Sequence, residues 1–322
     1  MYKKLFNKIH TKKIKIGIVG MGYVGLPLAI NFLKKKFDVT GIDSDKKKIN
    51  LLKKNISYIS SIKKKEILYF KNFPKKITSD FNVVKYLDVI FICLPTPLKD
   101  NKKPDMTYVF NFFKKIKSYS DKKLIILEST VYPGASRDAI KKMNVNVNDI
   151  GKSIFFGYSP ERENPGDKNF SYTKTPKVIS GYTKECLNLT HKIYQPIVKK
   201  VYKAKSLEVA EMSKLLENIY RSVNISLVNE IKIICKHFKN LNVYDVIDAA
   251  SSKNFGFKKF LPGPGIGGHC IPVDPYYLYW SSKNRGYNPK FIDVAGKMNN
   301  LVTNWVTKNT ISFLRKKFKK KN

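Results

Sequence analysis

Short apolar runs, each ending abruptly in a loop rich in Gly, Pro, Ser or Thr, set the rhythm of the first half of the chain. Residues 14–19, 38–42, 88–93, 123–127 and 154–157 have this form. Most of their positions are apolar, as expected of buried strands in a parallel sheet. From about residue 207 the period changes to that of a helix, continuing to about 237, with Val209, Met212, Leu215, Leu216, Ile219 and Val223 in one apolar stripe. Further helices are predicted over 243–251, 276–280 and 291–313.

The first strand runs straight into Gly20-Met21-Gly22-Tyr23-Val24-Gly25 and an apolar helical run through Phe32. This is GxGxxG in the context it needs. The first glycine makes the turn, the second lets a pyrophosphate approach the backbone, and the third lets the helix pack closely. Pro27 falls in the first turns of that helix, where a missing N–H is tolerated. The second strand ends in Asp43, the spacing of the acid that holds an adenosine ribose, so NAD is the expected cofactor. Three later strands deliver the loops Pro95-Thr96-Pro97, Glu128 to Gly134 and Ser159-Pro160-Glu161-Arg162, which in a parallel α/β sheet line one crevice. The predicted fold is therefore α/β. An N-terminal Rossmann-type doubly wound sheet (1–203) is followed by an all-helical central domain (204–322) built on the long helix.

Chemistry of another kind is concentrated in residues 263–275, Gly-Pro-Gly-Ile-Gly-Gly-His-Cys-Ile-Pro-Val-Asp-Pro. Four glycines and three prolines exclude a regular helix or a central strand there. On its own residues, Cys270 reads as a nucleophile, a metal ligand or a small buried hydrophobe. On the long helix, Lys214 and Asn218 lie one turn apart on a common face. They are either a solvated edge or, if buried, a donor-rich wall suited to an oxygen that gains negative charge.

Composition narrows the partners. The 322 residues leave room for two domains, and 43% hydrophobic content supplies ordinary cores. A net charge of +38 attracts polyanions, yet only five of the 62 basic residues are arginines, and the lysines are scattered. That pattern argues against a nucleic-acid reader and suits an anionic small molecule. The basic segment 1–13 has no apolar core of a signal peptide, and no run reaches the roughly 18 apolar residues of a membrane span. Four cysteines without CxxC spacing predict a reducing compartment, the cytoplasm, and no metal. A lysine-rich tail is expected over 315–321.

Taken in order, these pieces resemble the UDP-glucose/GDP-mannose dehydrogenase family of NAD-dependent nucleotide-sugar 6-dehydrogenases. The resemblance rests on Gly-Met-Gly-Tyr-Val-Gly-Leu-Pro (20–27), Pro-Thr-Pro-Leu (95–98), Glu-Ser-Thr-Val-Tyr-Pro-Gly (128–134), Ser-Pro-Glu-Arg (159–162), Ala-Glu-Met-Ser-Lys-Leu-Leu-Glu-Asn (210–218) and Gly-Gly-His-Cys-Ile-Pro-Val-Asp-Pro (267–275). Ser57-Tyr58-Ile59, Pro-Glu-Arg and Gly-His-Cys-Ile-Pro are similar to the branch acting on UDP-N-acetylhexosamines, with UDP-GlcNAc the implied substrate.

The resemblance implies a four-electron oxidation of a primary alcohol to a carboxylate. It assigns Cys270 as the nucleophile that forms a thiohemiacetal and then a thioester, and Lys214 and Asn218 as donors to its oxyanion. Asp274, with Thr130 and Glu161, would position water. NAD would be held by Gly20, Gly22, Tyr23, Val24, Gly25, Asp43, Pro95, Thr96, Ser129 and Thr130. The sugar nucleotide would meet Glu161, Arg162, Lys214, Asn218, Arg221, Phe257, Phe260, Gly263, Gly267 and His269. A homodimer through the long helix and a product destined for surface polysaccharide are implied too. Two departures stand out: Pro165 occupies the place of the UDP-glucose branch's second acid, and the family's C-terminal UDP-binding domain is expected to be absent. The rival readings are a two-electron hydroxyacid dehydrogenase in which Cys270 is structural, a remnant that only binds NAD, and a basic binding protein.

Overall fold

The computed structural model describes residues 1–71, 76–162, 175–268 and 271–319. It divides into two compact units: Met1–Pro97 with Pro104–Lys214, and Leu98–Lys103 with Leu215–Asn322.

The first unit opens with helix α1 (Tyr2–His10), which the sequence pattern did not announce; its Leu5 and Ile9 are buried. Strand β1 (Lys15–Val19), helix α2 (Gly25–Lys34) and strand β2 (Asp38–Ile42) follow as expected. Next come α3 (Lys46–Lys53), α4 (Lys64–Ile67), the short β3 (Ile77–Thr78) and β4 (Val89–Ile92). The remaining elements are α5 (Thr107–Ile116), β5 (Leu124–Leu127), α6 (Ala135–Met143), β6 (Phe155–Tyr158), β7 (Lys177–Gly181), α7 (Lys184–Tyr194) and β8 (Val201–Lys203).

The strands form one eight-stranded sheet in the order β3-β2-β1-β4-β5-β6-β7-β8, parallel except where β7 runs against β6. Strand order reverses between β1 and β4, the point at which open α/β sheets bind ligands outside their carboxyl ends. Every residue of β4, β5 and β6 is buried, which is why these strands read as unbroken apolar runs. Successive side chains on β6 show the two covered faces. Phe155 meets Tyr2 of α1, with ring centroids 6.3 Å apart, and Phe156 meets Phe113 of α5 at 5.7 Å. Phe91 of β4 touches both Phe32 of α2 and Tyr194 of α7, so those helices share a face.

Close approach fixes the β1–α2 turn. Gly20 has φ +92°, and a Cβ on Gly25 would lie 1.9 Å from the Gly20 carbonyl oxygen. A backbone oxygen cannot step aside as a flexible side chain would. Gly25→Ala is therefore expected to destabilise the first unit by about 1–3 kcal/mol through overpacking, read from the midpoint of urea unfolding.

The second unit consists of helices: α8 (Leu207–Cys235), whose first turns belong to the first unit, then α9 (Val243–Ser251), α10 (Asp274–Lys283) and α11 (Lys290–Lys319). The division between units thus falls inside α8, after Lys214. Helix α11 corrects the expectation of a tail from Arg315, because it continues to Lys319. Lysine is a good helix former, and cations are favoured at a helix C-terminus. The stripe expected on α8 is also revised: Leu215 and Ile219 are buried, but Val209 and Leu216 are exposed. Polar residues take part of the buried face instead.

Candidate functional site

In the first unit, a crevice of about 480 Å³ lies at the strand-order reversal, lined by Gly20, Gly22, Val24, Asp43, Pro95 and Ser129 among others. Its lining includes all the cofactor residues expected from sequence except Gly25, which is buried behind the turn. A Cβ on Gly22 would meet nothing within 4 Å, so this glycine is not required by packing. It leaves the backbone open to an approaching phosphate, as a dinucleotide requires.

Asp43, buried at the end of β2, accepts from the Met21 N–H at 2.8 Å and the Asp45 N–H at 2.9 Å, and Lys48 stands 3.6 Å away. The Tyr58 hydroxyl donates to the Met21 carbonyl, so the turn between the first two glycines is held from both sides. Burial, reinforced by Asp43 and Asp45, pushes the Tyr58 phenol up and keeps it a donor. The strand-end loops are tied together by hydroxyls: Thr96 donates to the Thr130 carbonyl at 2.8 Å, and Ser129 to the Leu94 carbonyl at 2.6 Å. Tyr23 stands exposed at the rim. These features fit NAD: a glycine turn open to phosphate, a helix N-terminus and a placed carboxylate.

Asp43→Asn would oppose an amide to a backbone N–H and remove the anion. Expected is a 10- to 100-fold weaker NAD affinity, following the roughly 1.5–3 kcal/mol of hydrogen bonds to a charged group. Calorimetric titration with NAD checks it; an unchanged Kd would remove Asp43 from cofactor recognition.

Also in this unit is a buried ionic cluster that sequence reasoning missed. The Lys177 side chain, 4% exposed, lies 2.8 Å from Glu128, 0% exposed, and 3.2 Å from Glu161. The Tyr194 hydroxyl donates to the other Glu128 oxygen. Glu161, expected to position water, is thus held by a cation, and its own carboxylate accepts from the Arg162 N–H at 2.7 Å. The Arg162 guanidinium donates to the Pro176 carbonyl at 2.8 Å. Glu211 caps α6, accepting from the Gly134 and Ser136 N–H groups at 2.6 and 2.8 Å. Glu128 and Glu211 belonged to recognised motifs, but only their partners reveal what they do.

Lys214, the last residue of the first unit, is buried, which excludes a solvated edge for it. In the second unit, buried Asn218 donates through Nδ2 to Oδ2 of Asp274, itself 3% exposed, at the start of α10. Each of these groups gives up water on burial, and the hydrogen bond between them offsets part of that cost. Gly263 donates its N–H to Asn229 at 2.8 Å, and the Phe260 ring packs 5.8 Å from that of Tyr220. Arg221, Phe257 and Gly267 are exposed. His269, Cys270 and Pro165 lie outside the described residues. Desolvation pushes the half-buried Cys93 thiol well up, and neighbouring Glu128 adds to the effect, which favours its protonated form. Among the described residues, no cluster of three or more His, Cys, Asp or Glu could hold a metal ion, and no helix is long and apolar enough to cross a membrane.

Known proteins agree with this geometry. The sequence profile "UDP-glucose/GDP-mannose dehydrogenase family, NAD binding domain" matches residues 14–198, and that of the family's central domain matches residues 208–301. UDP-N-acetyl-D-glucosamine 6-dehydrogenase of Salmonella typhi is 37% identical over 309 residues, covering 95% of this chain and 71% of the relative. UDP-N-acetyl-D-mannosamine dehydrogenase of Methanococcus maripaludis is 33% identical, covering 94% of this chain and 69% of its own length. The solved UDP-D-ManNAc dehydrogenase of Pyrococcus horikoshii superposes with a TM-score of 0.84 at 29% identity, covering 94% of this chain and 72% of that one. The chain therefore belongs to the UDP-glucose/GDP-mannose dehydrogenase family, a nucleotide-sugar dehydrogenase whose first unit carries the family's NAD-binding domain.

Proposed function

We propose that the protein oxidises the C6 hydroxyl of a UDP-N-acetylhexosamine, UDP-GlcNAc first, to the uronic acid in two steps, through a covalent thioester on Cys270. One observation carries the proposal: Asn218 and Asp274 form a buried amide–carboxylate pair. The pair lies one helical turn after Lys214 on one side and four residues after Cys270 on the other. The pair supports a polar site beyond the dinucleotide crevice.

When bound, NAD accepts the hydride equivalents leaving the sugar carbon. The protein's own groups do the rest. Asp274 takes up the hydroxyl proton, directly or through a water that Lys214 shares. The Cys270 thiolate adds to the aldehyde carbon and holds it covalently, so the two-electron product is not released. Lys214 and Asn218 donate to the thiohemiacetal oxyanion. Thr130, Glu161 and Asp274 hold the water that hydrolyses the thioester, releasing the carboxylate and regenerating the thiol. The role of Cys270 follows from the sequence motif of residues 267–275.

The net charge of +38 favours capture of a doubly charged nucleotide diphosphate. The same function belongs in the cytoplasm, with a product destined for surface polysaccharide. Homodimerisation through α8 is supported by exposed Leu216, Tyr220, Leu227 and Ile234 along it; sedimentation of the protein as a monomer would overturn that part.

Incubation with NAD and UDP-GlcNAc or UDP-ManNAc tests the proposal, counting NADH against the sugar product. Two NADH per carboxylate are expected. One NADH with an aldehyde or ketone product would favour a two-electron dehydrogenase, and NAD binding without turnover on either sugar would favour a remnant.

A further inference from the structure

Asn218 is not the only amide that α8 uses to hold the Gly/Pro-rich loop. Counting from Asn218, Asn229 lies eleven residues on, three turns or about 16 Å, and within about 20° of the same face. Asn218 binds the end of the loop at Asp274, and Asn229 accepts from its start at Gly263. Both stems of the segment are therefore bonded to one stripe of one helix.

The stripe continues as a directed chain of hydrogen bonds. The Gly263 N–H can only donate, so Asn229 turns Oδ1 to it at 2.8 Å and its amide nitrogen to Oδ1 of Asn299, at 3.4 Å. Asn299 must then present its own nitrogen to the Ser226 hydroxyl at 2.6 Å, which donates to the Ser222 or Ala295 carbonyl at 2.7 and 3.0 Å. A backbone donor at one end and backbone acceptors at the other fix every amide orientation. Asn229 is 0% exposed, and Ser226 and Asn299 are nearly so, which makes an unsatisfied member costly. From α11, the Thr303 hydroxyl donates to the Pro264 carbonyl at 2.9 Å. A Cβ on Gly265 would come within 2.3 Å of that oxygen, so the backbone is pressed against it.

We propose that Asn229, Asn299 and Thr303 are positioning residues for the loop that carries Cys270, fixing the backbone of Gly263 to Gly265 and thereby the reactivity of the thiol five residues on. The inference rests on Cys270 being the nucleophile. Helix packing alone needs only an apolar stripe on α8; two buried amides of α8 and a hydroxyl of α11 bonded to the loop stems, with Asn299 and Ser226 behind Asn229, are explained by a loop whose position matters.

The test uses the full chain and does not depend on turnover. Iodoacetamide alkylation of Cys270 is followed by peptide mass spectrometry across about pH 6 to pH 10, alongside amide hydrogen exchange of the peptide covering Gly263 to Gly268. The unsubstituted chain is expected to show an alkylation midpoint below the ordinary thiol value of about 8.5. Asn229→Ala and Thr303→Val are expected to raise that midpoint by about one pH unit and to speed exchange of the peptide, while Thr303→Ser retains both unsubstituted values. If Asn229→Ala does not fold, the Thr303→Val and Thr303→Ser pair decides. A depressed midpoint that no variant moves, even with faster exchange, overturns the inference and leaves these residues with a structural role. An ordinary midpoint in the unsubstituted chain sinks the nucleophile itself, and the inference with it.

Discussion

Cys270→Ser is expected to reduce carboxylate formation from a UDP-N-acetylhexosamine by on the order of 10³-fold or more. A serine hydroxyl is far less acidic than a thiol and offers almost no anion at neutral pH, so the covalent hold on the aldehyde is lost. NAD reduction in a single turnover should then stop at no more than one equivalent per site. The NAD affinity of the variant, measured by the same titration as for Asp43→Asn, should be unchanged and serves as the control for folding. Retention of carboxylate formation within about two-fold would make Cys270 structural and favour the two-electron alternative.

Lys177→Met should be the most destabilising substitution in the first unit outside its apolar core. It leaves Glu128, 0% exposed, and Glu161 without the cation that lies 2.8 and 3.2 Å from them. Breaking a buried pair in this way costs about 3–5 kcal/mol, because the remaining Glu128 charge has no water and keeps a neutral Tyr194 hydroxyl in place of a cation.

The pH dependence distinguishes this from simple loss of packing. Burial by itself disfavours the Lys177 cation, but Glu128 and Glu161 outweigh it and hold its pKa above the ordinary value. Its contribution is therefore present at neutral pH and is lost only as pH rises through that raised value. Burial also lifts the Glu128 carboxyl, with Lys177 only partly opposing it. The folded state then holds the Glu128 proton more tightly than the unfolded one, so stability falls as pH climbs from the ordinary carboxyl range through the raised value. Without Lys177 that window widens. The deficit of the variant should thus shrink as pH is lowered, in urea titrations at several pH values. A deficit below about 1 kcal/mol, or one independent of pH, would show that the cluster carries no buried charge.

Much of the fold was legible because its signals are local. The five predicted strands lie within one or two residues of their observed bounds, since strands buried in a parallel sheet are largely apolar. Gly20, Gly22, Gly25 and Asp43 were legible because a phosphate-binding turn limits which residues fit at each place. Strands β7 and β8 escaped notice: β8 is three residues long, with two of them exposed, so no apolar run marks it. Helix α1 has only Leu5 and Ile9 buried among lysines, so it read as a basic segment without an apolar run.

The candidate site divided along the same line. The sequence by itself determined that a dinucleotide turn, a donor pair one helical turn apart and a lone cysteine beside a carboxylate occur in one chain, because each is set by residue identity over a few positions. Only the tertiary structure decided that Lys214 and Asn218 are buried rather than solvated, that Lys177 neutralises a glutamate 49 positions away, and that Asn229 reaches Gly263 across 34 positions. The physical reason is that the charge state and orientation of a polar group depend on what replaces its water. For these groups the replacement comes from chain segments that no local pattern connects.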